Sequence, residues 1–277
     1  MSDTVKDPLV TRYLPDRVFY ATGAMLGAED FSAEQTYHRG RLARAAKYLH
    51  GSGTLAGLNV EYKPAAGTVE EEIVVHPGIA IDRLGRMIEV PSDACIRLGR
   101  WYRSQQTGDL FQGFHAADGG VLVDLFVRFV PCERSRTPAF ASGPFDALDA
   151  VVPSRLRDAY RLELVIRKEP GAPPLPVSRW PDLAAIPDPA ARRTALHEAI
   201  LTAWTDGTDS RDDDDNLERA VEQVEGQDTT SLFLARLTLP ATSGSPPART
   251  AGANVPVDNL VRQFVYATDA LPRWLGA

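Results

Sequence analysis

The segment from Phe31 to Val90 restricts the fold of this chain more than any other, because its glycines fall where a helix must stop and hairpins must turn. Ser32 followed by Gln35 is a capping-box pattern, which predicts a helix starting there. Phe31, Gln35, His38, Leu42, Ala45 and Leu49 recur at steps of four and three, so they share one face, which is expected to point inward. Arg39, Arg41, Arg44 and Lys47 flank that stripe, and the last of these suit the negative end of the helix. Gly51 supplies the stop. Beyond it, Leu55–Tyr62 reads as a strand, Pro64–Gly67 as its turn, and Ile73–Val75 as the next strand, followed by a His76-Pro77-Gly78 bend. Ile79–Ile81 and Met87–Val90 are expected to pair across Asp82-Arg83-Leu84-Gly85, a type I turn closed by a left-handed glycine. The fold class that follows is α+β: an N-terminal helix packed on a small antiparallel β-meander, with further strands, a proline-rich arm and C-terminal helices.

Further along, Val121–Val130 is an apolar strand whose only charges are Asp124 and Arg128, and Pro131–Pro153 reads as a long loop. Loops of that length are commonly functional or interfacial. Tyr160–Lys168 is another strand, after a turn that Ser154 would cap. Six prolines between 170 and 187 mark a linker or extended arm. Asp188 with Pro189 opens a helix to Trp204, with Leu196, Ile200, Ala203 and Trp204 inward. Leu217, Val221 and Val224 have helical spacing, Ser231–Leu239 is a strand, and Asp258 would cap a last helix carrying Leu260, Val261, Phe264 and Val265. The expected organisation is an irregular arm over 1–30, a helix-plus-sheet domain over 31–168, a proline-rich linker over 169–187, and a helical and strand region over 188–277.

Composition excludes several classes. No apolar run approaches the 18 or so residues of a membrane helix, and the acidic start Met1–Asp7 has no apolar core of a secretory signal. Cys95 and Cys132 lack the CxxC spacing of a thiolate zinc site, and point to a reducing cytoplasm; a bridge between them is the less expected alternative. Between Asp206 and Asp228, ten acids against Arg211 and Arg219 give −8, while the whole chain carries −7, so one segment sets the sign. No basic domain or reader motif of a nucleic-acid binder is present.

Motifs with chemical content are weak. Gly51-x-Gly53-x-x-x-Gly57 superficially matches a dinucleotide fingerprint, but that needs a strand before and a helix after, and here the order is reversed. His197-Glu198 begins a zinc-protease signature that Leu201 breaks. His38 on its stripe reads as a packed, hydrogen-bonded residue, and His50 and His76 border turns but underfill a zinc shell. The run Asp212–Asp215 lacks the glycine of a calcium loop and reads as a solvated helix start. Asp146, Asp149 and Asp158 read as turn and cap residues, with hydrolysis a third-ranked alternative. No catalytic, cofactor-binding or metal-ligating residue is assigned, and no enzymatic activity is expected.

Leu26-Gly27-Ala28-Glu29-Asp30-Phe31, Glu34-Gln35-x-Tyr37-x-Arg39-x-Arg41, the Leu49-His50-Gly51 corner and Pro77-Gly78-x-Ala80-x-Asp82-x-x-Gly85-Arg86 resemble proteins associated with phage-tail-like contractile injection systems. Thr137-Pro138, Gly143-Pro144-Phe145-Asp146 and Arg155-Leu156-Arg157-Asp158 are similar to the same group. The likeness spans residues 15–165 and stops there. It implies an accessory or structural subunit in an assembly with sheath, tube, baseplate and spike subunits, docked near the baseplate or outer surface. The implied location is the cytoplasm, within a particle that can then be released. Interface residues expected on this basis are His50 and Gly51 at the helix corner, Phe140 and Phe145 in the long loop, and Trp274 near the C-terminus. Related sequences tend to carry a tryptophan or tyrosine after the corner glycine; Ser52 departs from that. The alternatives are a carbohydrate- or cell-surface-binding module and a secreted cargo of the same machine.

Overall fold

The computed structural model describes residues 6–10, 16–138, 151–178, 180–203 and 217–267. Chain order is α1 (Ala28–His50), β1 (Gly53–Gly57), β2 (Val60–Lys63), β3 (Glu72–Val75), β4 (Gly78–Ile81), β5 (Met87–Val90), β6 (Ala94–Arg97), α2 (Leu98–Ser104), α3 (Thr107–Gln112), β7 (Phe114–His115), β8 (Gly120–Pro138), β9 (Val151–Ile166), α4 (Pro189–Thr202), β10 (Leu232–Thr242), β11 (Ala248–Arg249) and β12 (Val257–Asp258). The fold is α+β, with every strand pair antiparallel between named strands. Two small sheets, β1-β4-β5 and β2-β3-β6, lie beside a larger one built on β8 and β10.

The hairpin β4–β5 forms between the expected segments, with Gly78 opposite Val90 and Ile81 opposite Met87. Its turn closes with the Gly85 N–H donating to the Asp82 carbonyl at 2.9 Å, and Gly85 has φ +90°. A Cβ at Gly85 would stand 1.8 Å from the Ala43 carbonyl oxygen, so the turn presses backbone to backbone on α1. This contact explains how the helix sits. Thr36, Ala43 and Lys47 are its buried residues, and Gly40 faces Leu9 of a 3-10 turn, Pro8–Val10. Small side chains permit the close approach. The Phe31-to-Leu49 stripe was expected to face inward, yet all six of its residues are exposed. Periodicity identifies residues that share a face; it does not say which face meets the rest of the chain.

A buried ionic cluster locks the same joint. The Asp82 carboxylate accepts from the Leu84 and Arg86 N–H groups and from Arg86 Nε at 2.7 Å. Arg86 Nη1 reaches Asp7 Oδ2 at 3.0 Å, and Arg39 of α1 reaches the same oxygen at 3.2 Å. The Arg86 guanidinium also lies 4.6 Å from the Phe129 ring centroid, over β8. Asp7 belongs to the arm expected to be merely irregular, and it is buried.

β8 is the spine of the large sheet. Over Gly120–Val127 it pairs with β10 on one side, and with β9 and β7 on the other. Residues 121–127 are accordingly buried without alternation, as for a strand covered on both faces. Asp124 is the polar exception. Its carboxylate takes Arg236 Nε and Nη2 at 2.8 and 2.9 Å, with Arg167 Nη1 at 3.2 Å. Arg236 also donates to the Pro173 and Pro174 carbonyls, clamping the proline-rich segment onto the sheet. Because β10 lies beside β8, Leu232–Ala241 and Val255 share one core with Leu58–Ile166.

Several boundaries depart from expectation. α1 starts at Ala28, its Gly27 N–H donating to Asp30 Oδ2 at 2.8 Å, so Ser32 is inside the helix rather than its cap. The single strand Leu55–Tyr62 is broken at Leu58, which has φ 56° and whose carbonyl accepts from Arg262 Nη1 at 2.7 Å. The loop expected over 131–153 is, in its described part, the outer half of β8 and the start of β9; Ser154 lies within β9. α4 forms with Asp188 as its cap, accepting from the Ala191 N–H, but it buries no residue. Residues 217–231 are turns: Gln223 donates to the Asp228, Thr229 and Ser231 carbonyls and accepts from Ala220, and these side-chain bonds displace a helical ladder. Among the described residues no helix follows Asp258, because Thr54 exchanges backbone hydrogen bonds with Gln263 and Val265 and holds that segment extended.

Two substitutions test these joints by urea denaturation. Gly85→Ala is expected to cost on the order of 3 kcal/mol, through a left-handed φ and a clash with backbone that cannot yield. Asp124→Ala leaves Arg167 and Arg236 without their buried counter-charge and is expected to cost about 3–5 kcal/mol. A loss below about 1 kcal/mol in either would contradict the packing described.

Candidate interaction surfaces

Past Val127 the neighbour β10 ends and β8 continues with β9 alone, from Arg128 opposite Arg161 to Pro138 opposite Val151. The outer half, residues 132–138 against 151–157, is a two-stranded ribbon roughly 20 Å long at about 3.3 Å per residue. Residues 134–138 and 151–158 are all exposed, so no described residue covers either face of the ribbon. Such hairpins are marginal in water without a further layer. Pro131, Pro138 and Pro153 remove ladder donors along it, which discourages further strand pairing.

The ribbon is also cationic. Arg134, Arg136, Arg155 and Arg157 stand against Glu133 and Asp158. Arg134 is directly opposite Arg155, an arrangement of like charges that weakens an isolated pair. Val151, Val152 and Leu156 supply exposed apolar surface between these charges. Together they suit an acidic partner surface with apolar anchors. No sequence signal separated this ribbon from a loop, because its prolines and charges read as loop-formers.

The second uncovered surface is the outer face of α1, with Leu42 71% and Leu49 77% exposed. His38 on it bonds Glu34 at 3.0 Å, one turn away, rather than packing in a core. Of the residues expected at an interface, His50 is exposed and Gly51 half-buried, at the helix end, where Gly51 has φ 80° and its N–H caps the Lys47 carbonyl. Phe140, Phe145 and Trp274 lie outside the described residues, as do Asp146, Asp149, Asp212–Asp215 and Trp204. Only His50 and Gly51 of the five lie among the described residues, side by side at the helix end, and the ribbon is the surface that the residue-by-residue reading missed.

Titratable groups hold the frame together. His76 sits between Asp93 Oδ1 on Nδ1 and Glu61 Oε2 on Nε2, both at 2.9 Å. Hydrogen bonds to Glu61 and Asp93 raise its pKa above 6.5. Burial raises the Asp124 carboxyl against the opposing pull of Arg236 and Arg167, and burial lowers Arg262 to about 10. Cys95 and Cys132 are free and exposed.

A cleft of about 840 Å³ opens beside β10, bordered by His115, Asp118, Leu122, Arg236, Thr238 and Asn259. Arg236 in it is committed to Asp124 and the proline segment, and His115 stands 3.9 Å from Asp118. Those pairs have structural work within the fold, and the cleft holds no hydroxyl or thiol bonded to a base among the described residues. Trp180 is 44% exposed, whereas Trp101 packs partly against the core. Among the described residues no helix is long and apolar enough to cross a membrane. No protein-family model and no curated protein matches this chain.

The His76 clamp makes stability pH-dependent. Its folded pKa is raised, so its contribution is complete below about pH 6.5 and is lost as pH rises through the higher folded value. His76→Gln is therefore expected to lower the melting temperature more at pH 5.5 than at pH 8.5, relative to the parent at each pH. Equal losses at both would sink the clamp.

Proposed function

We propose that this chain is a structural subunit of a phage-tail-like contractile injection particle, seated against neighbouring subunits near the baseplate or outer surface. The observation that carries a docking role is the β8–β9 ribbon: it leaves its domain with residues 134–138 and 151–158 all exposed and four arginines among them. A protein does not gain its own stability from such an arm, and a partner that covers it does. Identification of the assembly rests on the resemblance of residues 15–165 to proteins of those systems. The role is positional, not catalytic. A rigid frame, locked by the Asp82 and Asp124 clusters, holds the ribbon at a set angle, and the arginines select an acidic neighbour.

The test is affinity purification of the tagged full chain from cells that make the particle. Sheath and tube subunits are expected to co-purify. Replacing Arg134, Arg136, Arg155 and Arg157 by Glu is expected to cut that recovery about tenfold or more, with the circular dichroism unchanged. Recovery of the chain without particle subunits would overturn the reading, and binding to purified glycan in that event would support a carbohydrate- or surface-binding module in its place.

A further inference from the structure

The outer stripe of α1 has a spacing that a surface helix does not need. Phe31, Gln35, His38, Leu42, Ala45 and Leu49 follow steps of four, three, four, three and four. That is the narrow seam of a coiled coil, with Gln35, Leu42 and Leu49 at one core position and Phe31, His38 and Ala45 at the other. A helix lying on its own domain wants the broader stripe of a 3.6 period, and α1 makes its domain contact through Thr36, Gly40, Ala43 and Lys47, on the far side. Every seam residue is exposed. The helix is two-faced, and one face is uncovered.

We infer that this seam pairs with the α1 helix of a second copy of the same chain, running parallel to it. Charge selects the copy and the direction. Glu34 and Arg39 flank the seam five residues apart, which is the spacing at which a flanking residue of one parallel helix meets its counterpart on the other. Two Glu34–Arg39 pairs then form across a two-fold axis. Antiparallel pairing centred on the stripe instead brings the cationic middle of α1 (Arg39, Arg41 and Arg44) against itself. Arg39 is placed for this, since its contact with Asp7 holds a side chain that is still 39% exposed. Gln35 and His38 in the seam fix register at the expense of affinity, and 19 residues from Phe31 to Leu49 are under three heptads. The association is therefore concentration-dependent. It requires no particle subunit and stands apart from the function proposed above.

Sedimentation of the purified full chain over a concentration series tests it. The mass is expected to rise from 30.2 kDa to twice that value, and a plateau at any other multiple overturns the two-fold pair. Leu42→Glu, at a site already exposed within one copy, is expected to return it to the monomer value with an unchanged thermal melt. Leu201→Glu on α4, which is exposed as well, is the control and should change nothing. With Cys95→Ser and Cys132→Ser in the background, Ala45→Cys is expected to form a disulfide-linked dimer under mild oxidation, since parallel pairing sets that position opposite itself. A monomer at every concentration overturns the inference, as does a multimer that Leu42→Glu leaves intact. Lack of the Ala45→Cys cross-link in a multimer overturns the parallel arrangement. A monomer that Leu42→Glu destabilises assigns the seam to another segment of the same chain and also defeats the inference.

Discussion

The Asp82–Arg86 pair is where the molecule is joined. One carboxylate, with no exposed surface, takes two backbone N–H groups and a guanidinium, while that guanidinium spans Asp7 and the Phe129 ring. Four pieces of chain meet there: the N-terminal arm, α1, the β4–β5 turn and β8. A buried pair of this kind is not a strong source of stability in itself, since desolvation offsets much of the attraction. Its value is geometric. The bonds are directional, so they set where the turn and the N-terminal arm meet α1.

The Asp124 cluster works in the same way on the opposite stretch of β8. It holds β10 and the proline-rich segment to the spine, with Arg236 contributing both the paired fork and the two proline carbonyl contacts. β8 is thus fixed at Asp124 and again at Phe129, and it becomes a bare ribbon immediately beyond the second anchor. A base fixed in this way lowers the ordering cost that a docking partner would otherwise meet.

Much of the meander was legible in the residues. The Asp82-to-Gly85 turn, the β4–β5 pairing, the Gly51 stop and the Asp188 cap each depend on local chemistry, a left-handed glycine or a short polar side chain, that acts the same in any context. What escaped reading was decided at long range. Leu58 breaks a strand because Arg262, 204 residues away, takes its carbonyl. The segment after Asp258 is extended because Thr54 claims its backbone groups. Val221 and Val224 have helical spacing but Gln223 between them bonds the backbone that a helix would use. The ribbon hid for a different reason. Prolines and opposed arginines are poor strand signals, and only cross-strand pairing over 15 residue pairs reveals it.

The inverted helix carries the most weight for function. Had the apolar stripe faced the sheet, the Gly85 turn would have met larger side chains, and the backbone contact at Ala43 could not form. The small face of α1 is therefore required by the turn, and the apolar face is left outside by exclusion. Leu42 and Leu49 give up most of the roughly 1.5–3 kcal/mol that full burial of each would contribute, and the half-exposed Phe31 gives up about half of it. The same chain also extends a ribbon whose residues 134–138 and 151–158 are all exposed. The self-pairing inferred above would cover the first surface through a heptad seam that matches itself, and the proposed acidic neighbour would cover the second through arginines that do not, so the two surfaces call for different partners.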